Sequence, residues 1–368
     1  MKRLPLYTAA VLGISLIFSS CRPAPEIEVE GYEEMALEYA EHFSVYRYDD
    51  YDLIDIDGVR YYLADDPAAV TQTDGTVIGR PHCIYVAASS AMDLFRGAEA
   101  LDCVQMTSTE ADKWSIPEIK ALVENDDIAY VGKYNAPDFE YLLSEGCDLA
   151  VESTMIYHSP DTEKMLGELG IPVMTEHSSY ESHPLGRLEW VRLYGVLTGH
   201  EAEADAFFEE KKELFESVAG CDATDRTAAF FYLSNGKVNI RKPGDYVSKM
   251  IETAGGRYIF TPDMLGVDEN SLSTMNISME SFYTTAKDAD VLIYNSTITG
   301  QTDMNGLLSA APVLSDMKAV KTGDVWCTEA DVFQRTASAA EMTEELHRIL
   351  SGEAEDNMEF FHRIGEPQ

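Results

Sequence analysis

Basic residues are scarce in this sequence. Its 368 residues hold 27 Lys and Arg against 65 Asp and Glu, a formal net charge of −38. No Lys/Arg-rich stripe offsets the acidity, so the surface repels nucleic acid. Cysteine is sparse and unpatterned: the 6 Cys include no C-x-x-C and no zinc-like spacing. G-x-S-x-G, a Walker A loop, H-E-x-x-H and a dinucleotide fingerprint are all missing, which removes the common sequence signatures of catalysis. Paired carboxylates discriminate nothing in so acidic a chain. No His-rich loop is present, which disfavours a binder of free zinc or manganese. Beyond the first twenty residues there is no uninterrupted apolar run long enough to span a membrane.

What is present is a normal globular composition, 45% hydrophobic and 10% aromatic, in a chain long enough for two domains. Lys2 and Arg3 precede an apolar stretch, Leu6 to Phe18, and then Ser19-Ser20-Cys21. Small residues directly before a Cys resemble a bacterial lipobox. That predicts a signal peptide over 1–20, acylation of Cys21 and a lipid-anchored tether and lead-in over 21–42. An ordinary cleaved signal and an N-terminal anchor helix are the alternatives. Either way the mature chain is extracytoplasmic, on the periplasmic or cell-surface side.

Residues 31–42 read as a short helix or an irregular lead-in. Asp57-Gly58 favours a tight turn, so Tyr51–Ile56 and Val59–Leu63 pair as a hairpin. From Pro81 apolar runs alternate with helical patterns: strands near Cys83–Ala88, Asp102–Met106, Ile128–Gly132, Cys147–Val151 and Ile171–Met174, helices over Ala91–Ala98 and Thr162–Leu169. This alternation predicts parallel β/α units. Residues 183–218 carry helical spacing interrupted at Gly199-His200. The pattern then repeats, with strands at Thr227–Ser234, Val291–Tyr294 and around Val325-Trp326, and helices over Asp245–Thr253, Ser278–Ala286 and Ala339–Leu350. The expected fold is α/β: an N-terminal lobe over 43–182 that includes the hairpin, an interlobe helix over 183–218, and a C-terminal lobe over 219–368. Both lobes are Rossmann-like.

Two segments resemble each other. Asp138-Phe139-Glu140-Tyr141-Leu142-Leu143 leads to Asp148-Leu149-Ala150-Val151. Ser278-Met279-Glu280-Ser281-Phe282-Tyr283 leads to Asp290-Val291-Leu292-Ile293. An acidic residue near a helix N-terminus is stabilising by itself, but two in matching places of two lobes suggest a shared role. These segments resemble the Glu-bearing helices of the ABC-importer binding proteins for ferric siderophores, haem and cobalamin. His183-Pro184-Leu185-Gly186-Arg187-Leu188-Glu189-Trp190 resembles the start of that family's interlobe helix, and Ala254-Gly255-Gly256 its second-lobe motif. The strand-preceding Pro-Asp of many members is Cys147-Asp148 and Ala289-Asp290 here. The resemblance spans roughly residues 78–350. It implies a monomeric solute-binding protein with no cofactor of its own and no catalytic residues. It also implies a small tilt on closure and docking to a permease dimer with its ATPase subunits, through Glu140 and Glu280.

Ligands of such clefts meet loops at the carboxyl ends of strands. The candidates are Ser89, Lys133, Tyr134, Tyr157, His158, His177 and Arg187 in the first half, and Arg241, Lys242, Tyr246 and Gln334 in the second. Aromatics suit a chelate or macrocycle, and Arg or Lys suits anionic groups. Arg187 has an alternative role inside the helix, paired with a carboxylate. His158 and His177 lack an obvious third partner for direct metal ligation. The ligand implied is an iron chelate or related metal complex. A haem or cobalamin binder or scavenger, and a cleft enzyme on the same fold, are the rivals.

Overall fold

The computed structural model describes residues 31–71, 73–270, 273–298, 300 and 302–364. The expected signal peptide, Cys21 and most of the tether lie outside the described residues. From Tyr32 the chain makes one compact unit that contains both lobes.

The lead-in is not a helix. Its residues Glu33–Glu34 (β1) pair with Phe43–Arg47 (β2), and the segment between is irregular. Irregular backbone leaves N–H groups to be satisfied. Buried carboxylates do so: Glu189 accepts from Glu38, Tyr39 and Ala40, and Glu181 from Glu41 and His42. The expected hairpin forms as Asp52–Ile56 (β3) and Val59–Ala64 (β4). Asp57 and Gly58 both take positive φ, 50° and 86°, the backbone that a two-residue hairpin turn requires. Thr76–Gly79 (β5) joins β4 in parallel, so the hairpin belongs to a five-stranded sheet ordered β1-β2-β3-β4-β5.

The N-terminal lobe follows. Its strands are Ile84–Val86 (β6), Val104–Thr107 (β7), Ala129–Tyr130 (β8), Leu149–Ser153 (β11) and Val173–Glu176 (β12), all parallel in the order β12-β11-β6-β7-β8. A small hairpin, Gly132–Lys133 (β9) and Ala136–Pro137 (β10), projects after β8. Its helices are Ser89–Gly97 (α1), Pro117–Glu124 (α2), Phe139–Ser144 (α3) and Pro160–Glu168 (α4).

The connector is helical, and the interruption at Gly199-His200 reverses its direction. Pro184–Thr198 (α5) is buried except at Arg192 and ends on Gly199 at φ 79°. Glu201–Ala219 (α6) then folds back along it. His183 meets Phe215 with ring centroids 5.6 Å apart, and Arg192 pairs with Asp205 at 2.7 Å. The crossing is tight enough that a Cβ on Gly195 would lie 2.6 Å from that of Ala204.

The C-terminal lobe holds Thr227–Ser234 (β13), Lys237–Arg241 (β14), Arg257–Tyr258 (β15), Thr274–Ile277 (β16), Val291–Tyr294 (β17), Val325–Thr328 (β18) and Phe361–Arg363 (β19). The sheet runs β16-β14-β13-β17-β18-β19, with β15 also on β13. Its helices are Tyr246–Thr253 (α7), Pro262–Leu265 (α8), Met279–Ala286 (α9), Met304–Ala310 (α10), Lys318–Thr322 (α11) and Ala339–Ser351 (α12). Strands β14, β16 and β19 are antiparallel additions that sequence periodicity did not mark. Each lobe has its own buried apolar core, and α5 and α6 pack into that of the N-terminal lobe. Among the described residues Cys83, Cys103, Cys147, Cys221 and Cys327 form no disulfide, and of these Cys221 alone is exposed.

Candidate functional site

The carboxyl ends of the N-terminal lobe's strands face the other lobe. Strand β6 runs into α1, where fully buried Asp93 accepts a 2.8 Å hydrogen bond from the Ala337 backbone. Beyond β7, the amide of Gln334 donates to the Lys113 carbonyl at 2.7 Å and accepts from the Ser115 N–H at 3.0 Å. Lys211 on α6 pairs with Glu341 on α12 at 2.6 Å. Polar contacts of this kind hold the lobes in one register.

Between the lobes lies a stack of charged and aromatic side chains. The Arg187 guanidinium sits 3.9 Å from the centroid of the Tyr246 ring. Arg241 approaches the same ring at 5.6 Å and Phe333 at 4.9 Å. Asp245 caps α7 through the Val247 N–H and touches Arg241 at 3.3 Å, which draws that cation toward the stack. The Arg241 Nε is buried with no partner among the described residues. Arg187 is 8% exposed, and fully buried Glu176 at the end of β12 lies within reach of its charge. Burial pushes the Glu176 carboxyl up, opposed by the Ser178 hydroxyl and by Arg187.

The sequence candidates separate accordingly. Arg187, Arg241 and Tyr246 come together. Gln334 reaches the junction, but both ends of its amide already bridge the lobes. Lys242 follows Arg241 half-buried, and its N–H donates to the Ser273 carbonyl. Ser89 opens α1 half-buried. Lys133 is exposed on β9, with Tyr134 in the turn beside it. Tyr157 and His158 are exposed on the turn after β11. His177 is buried, and both its ring nitrogens have partners: Asp57 at 2.5 Å and the Tyr157 hydroxyl at 2.9 Å. Among the described residues no group of three or more His, Cys, Asp or Glu is arranged to hold a metal ion.

Sequence reasoning missed Asp57, which read only as a turn residue, and Glu152. Glu152, next to last in β11, is fully buried, and neither carboxylate oxygen has a partner among the described residues. Burial, with Glu163 nearby, pushes its carboxyl up to about 8. A charged residue inside an apolar strand run was the available signal.

The two matching segments are built alike. Asp138 caps α3 through the Tyr141 N–H, and Ser278 caps α9 through the Ser281 N–H. Glu140 and Glu280 occupy the first turns, both exposed. Asp148 then receives the N–H groups of His82 and Cys83 at the head of β6, and Asp290 that of Thr227 at the head of β13. Lys318 and Thr227 hold the Asp290 carboxyl down at about 2, against the effect of its burial.

Two β/α lobes around a shared cleft, closed by polar contacts and bearing matched exposed carboxylates, define a two-lobed solute-binding architecture. Residues 94–332 match the periplasmic binding protein family, and the chain belongs to it. It is 27% identical over 251 residues to an uncharacterized lipoprotein of Methanocaldococcus jannaschii, covering 66% of this chain and 57% of that relative. The chain thus spans little more than half the length of that relative. Among solved structures, the periplasmic haem-binding protein of Vibrio cholerae aligns with TM-score 0.58 and 16% identity, over 72% of this chain and 98% of its own. The petrobactin-binding protein of Bacillus subtilis aligns with TM-score 0.57 and 17% identity, over 73% and 92%.

Proposed function

We propose that the chain is an extracytoplasmic, lipid-anchored binding protein that delivers an anionic metal chelate, an iron–siderophore type of complex, to an ABC importer. The observation that carries the ligand class is the Arg187–Tyr246–Arg241 stack. In a chain so rich in carboxylates, two guanidiniums packed on aromatic rings at the lobe junction are poised for a planar or anionic ligand. Glu140 and Glu280 are the permease-docking charges in this reading. Two exposed charges set in separate lobes fix orientation and speed encounter more than they add affinity. Membership of the binding-protein family and the lipoprotein relative support the placement outside the cytoplasm. The name of the Vibrio cholerae neighbour keeps haem as the second ligand class, and the aromatic faces of Tyr246 and Phe333 suit a macrocycle. Titration with ferric siderophores, ferric citrate, haem and cobalamin tests the assignment. One class should bind with one-to-one stoichiometry and no chemical turnover.

A further inference from the structure

Four side chains form a hydrogen-bonded chain where the N-terminal sheet meets the N-terminal lobe. The Tyr157 hydroxyl meets His177 Nε2 at 2.9 Å. His177 Nδ1 meets Asp57 at 2.5 Å, and the other Asp57 oxygen meets His42 Nδ1 at 2.9 Å. Asp57 and His42 precede the family-matched residues 94–332, so half of this chain comes from the added sheet and its lead-in. The turn explains how Asp57 reaches across. Asp55 caps the Gly58 N–H, which leaves the Asp57 carboxylate free for the two histidines.

The proton positions follow from donor and acceptor capacity. A carboxylate only accepts, so His177 carries its hydrogen on Nδ1. The neutral ring then accepts at Nε2, and the Tyr157 hydroxyl must donate inward to it. The carboxylate is secure in this role. Burial works against its charge, but the hydrogen bonds from His42 and His177 hold Asp57 below the usual range. His42 is raised despite its own burial, because Asp57, Glu181 and the Tyr180 backbone all favour its cation. Tyr157 stays a phenol, its titration pushed up by burial and by Tyr180, Glu163 and Asp57 against a hydrogen bond with the Thr175 side chain, which leaves one lone pair of the oxygen open.

Tyr157 is 50% exposed at the carboxyl end of β11, the same end of the parallel sheet as Glu176 of β12, which lies within reach of Arg187 in the cleft. With its proton committed inward, its oxygen offers only lone pairs to a ligand. We infer that Asp57 is a positioning residue for ligand recognition: acting through His177, it makes Tyr157 a hydrogen-bond acceptor at the cleft rim, selecting ligands that present an N–H or O–H donor there. This rests on the binding-protein reading above and sharpens it. The ligand then has an anionic portion for Arg187 and Arg241 and a donor-bearing portion, such as a backbone amide, for Tyr157.

The test uses the full chain in detergent, labelled with nitrogen-15 at histidine. Two-bond proton–nitrogen spectra should show His177 as the Nδ1–H tautomer. Asp57→Asn should populate the Nε2–H tautomer, and Asp57→Glu should restore the original. A second arm titrates a ferric tris-catecholate bearing amide N–H groups. Asp57→Asn and Tyr157→Phe should each weaken it at least tenfold, with no further loss in the double variant. Tyr157→Phe removes the hydroxyl bonded to His177 Nε2, so its melting temperature is read beside the titration to keep a folding effect apart from a binding one. An Nε2–H tautomer in the unmodified chain, or unchanged affinity in both variants, overturns the inference. If no probe in the wider ligand panel binds the unmodified chain, the binding reading itself fails and this role for Asp57 falls with it, whatever tautomer is seen.

Discussion

Arg187 in the first turn of α5 lies 3.9 Å above the ring of Tyr246, the residue that opens α7. One cation and one aromatic thus join the connector to the C-terminal lobe at the cleft. Arg241 approaches the same ring, so two positive charges share one aromatic partner. Like charges this close are stabilised by a bound anion. Arg187→Gln should weaken an anionic chelate at least tenfold, about 1.4 kcal/mol, while leaving the melting temperature within a few degrees. Arg187→Lys should recover only part of the affinity, because an ammonium does not reproduce the stacked planar fork. Parallel fluorescence titrations of the three proteins check this.

Glu140 and Glu280 are exposed, and among the described residues neither forms a side-chain hydrogen bond or ion pair, so only the helix-terminus charge effect depends on their sign. Reversing both to Arg should abolish or strongly reduce uptake of labelled ligand by cells. Ligand affinity in vitro should stay within twofold, and stability should fall by about 1–2 kcal/mol through the two helix N-termini. Equal losses of uptake and affinity would place these residues in the binding site instead.

Glu152 gives a pH signature. Its folded carboxyl, at about 8, lies above the ordinary 4.5. The stability associated with the neutral form is therefore complete below about 4.5 and is lost as pH rises through about 8. The limiting slope in that window is about 1.4 kcal/mol per pH unit. Glu152→Gln keeps the shape and removes the charge. The two proteins should melt alike at pH 5, and the variant should melt higher at pH 8.5. Parallel melting curves across that range would show that Glu152 ionises without cost.

Gly195 sets the spacing of the helical connector. A methyl group there meets the Ala204 Cβ at 2.6 Å and the His200 carbonyl oxygen at 3.0 Å. Gly195→Ala should destabilise the protein by about 1–3 kcal/mol, read from the urea midpoint. Ala204→Gly in the same chain should recover part of the loss.

The β/α order was legible because buried parallel strands are short apolar runs and their helices carry a distinct period. Thr227–Ser234 and Val291–Tyr294 occupy the residues those runs marked. Strand β14 was not legible, since Lys237–Arg241 mixes charge with apolar residues at a sheet position made by long-range pairing. The reversal at Gly199 was visible as an interruption, but its direction depends on how closely Gly195 lets α6 approach. At the site, Arg187, Arg241 and Tyr246 were found because cations are rare here and aromatics flank them. Asp57 was not, because its partner lies 120 residues away and nothing local distinguishes a turn aspartate from one that orients a histidine. Glu181 and Glu189 escaped notice for the same reason: their buried carboxylates serve the backbone of a distant lead-in.

Ligand titration tests the central claim most directly. Trp114 is buried beside the residues that Gln334 grips, so tryptophan fluorescence reports on the lobe junction. Saturable one-to-one quenching by an anionic ferric chelate, at micromolar affinity or tighter, is the predicted result. Binding of neither ferric chelates nor haem, or binding confined to an uncharged ligand, would contradict the role assigned to the Arg187–Tyr246–Arg241 stack.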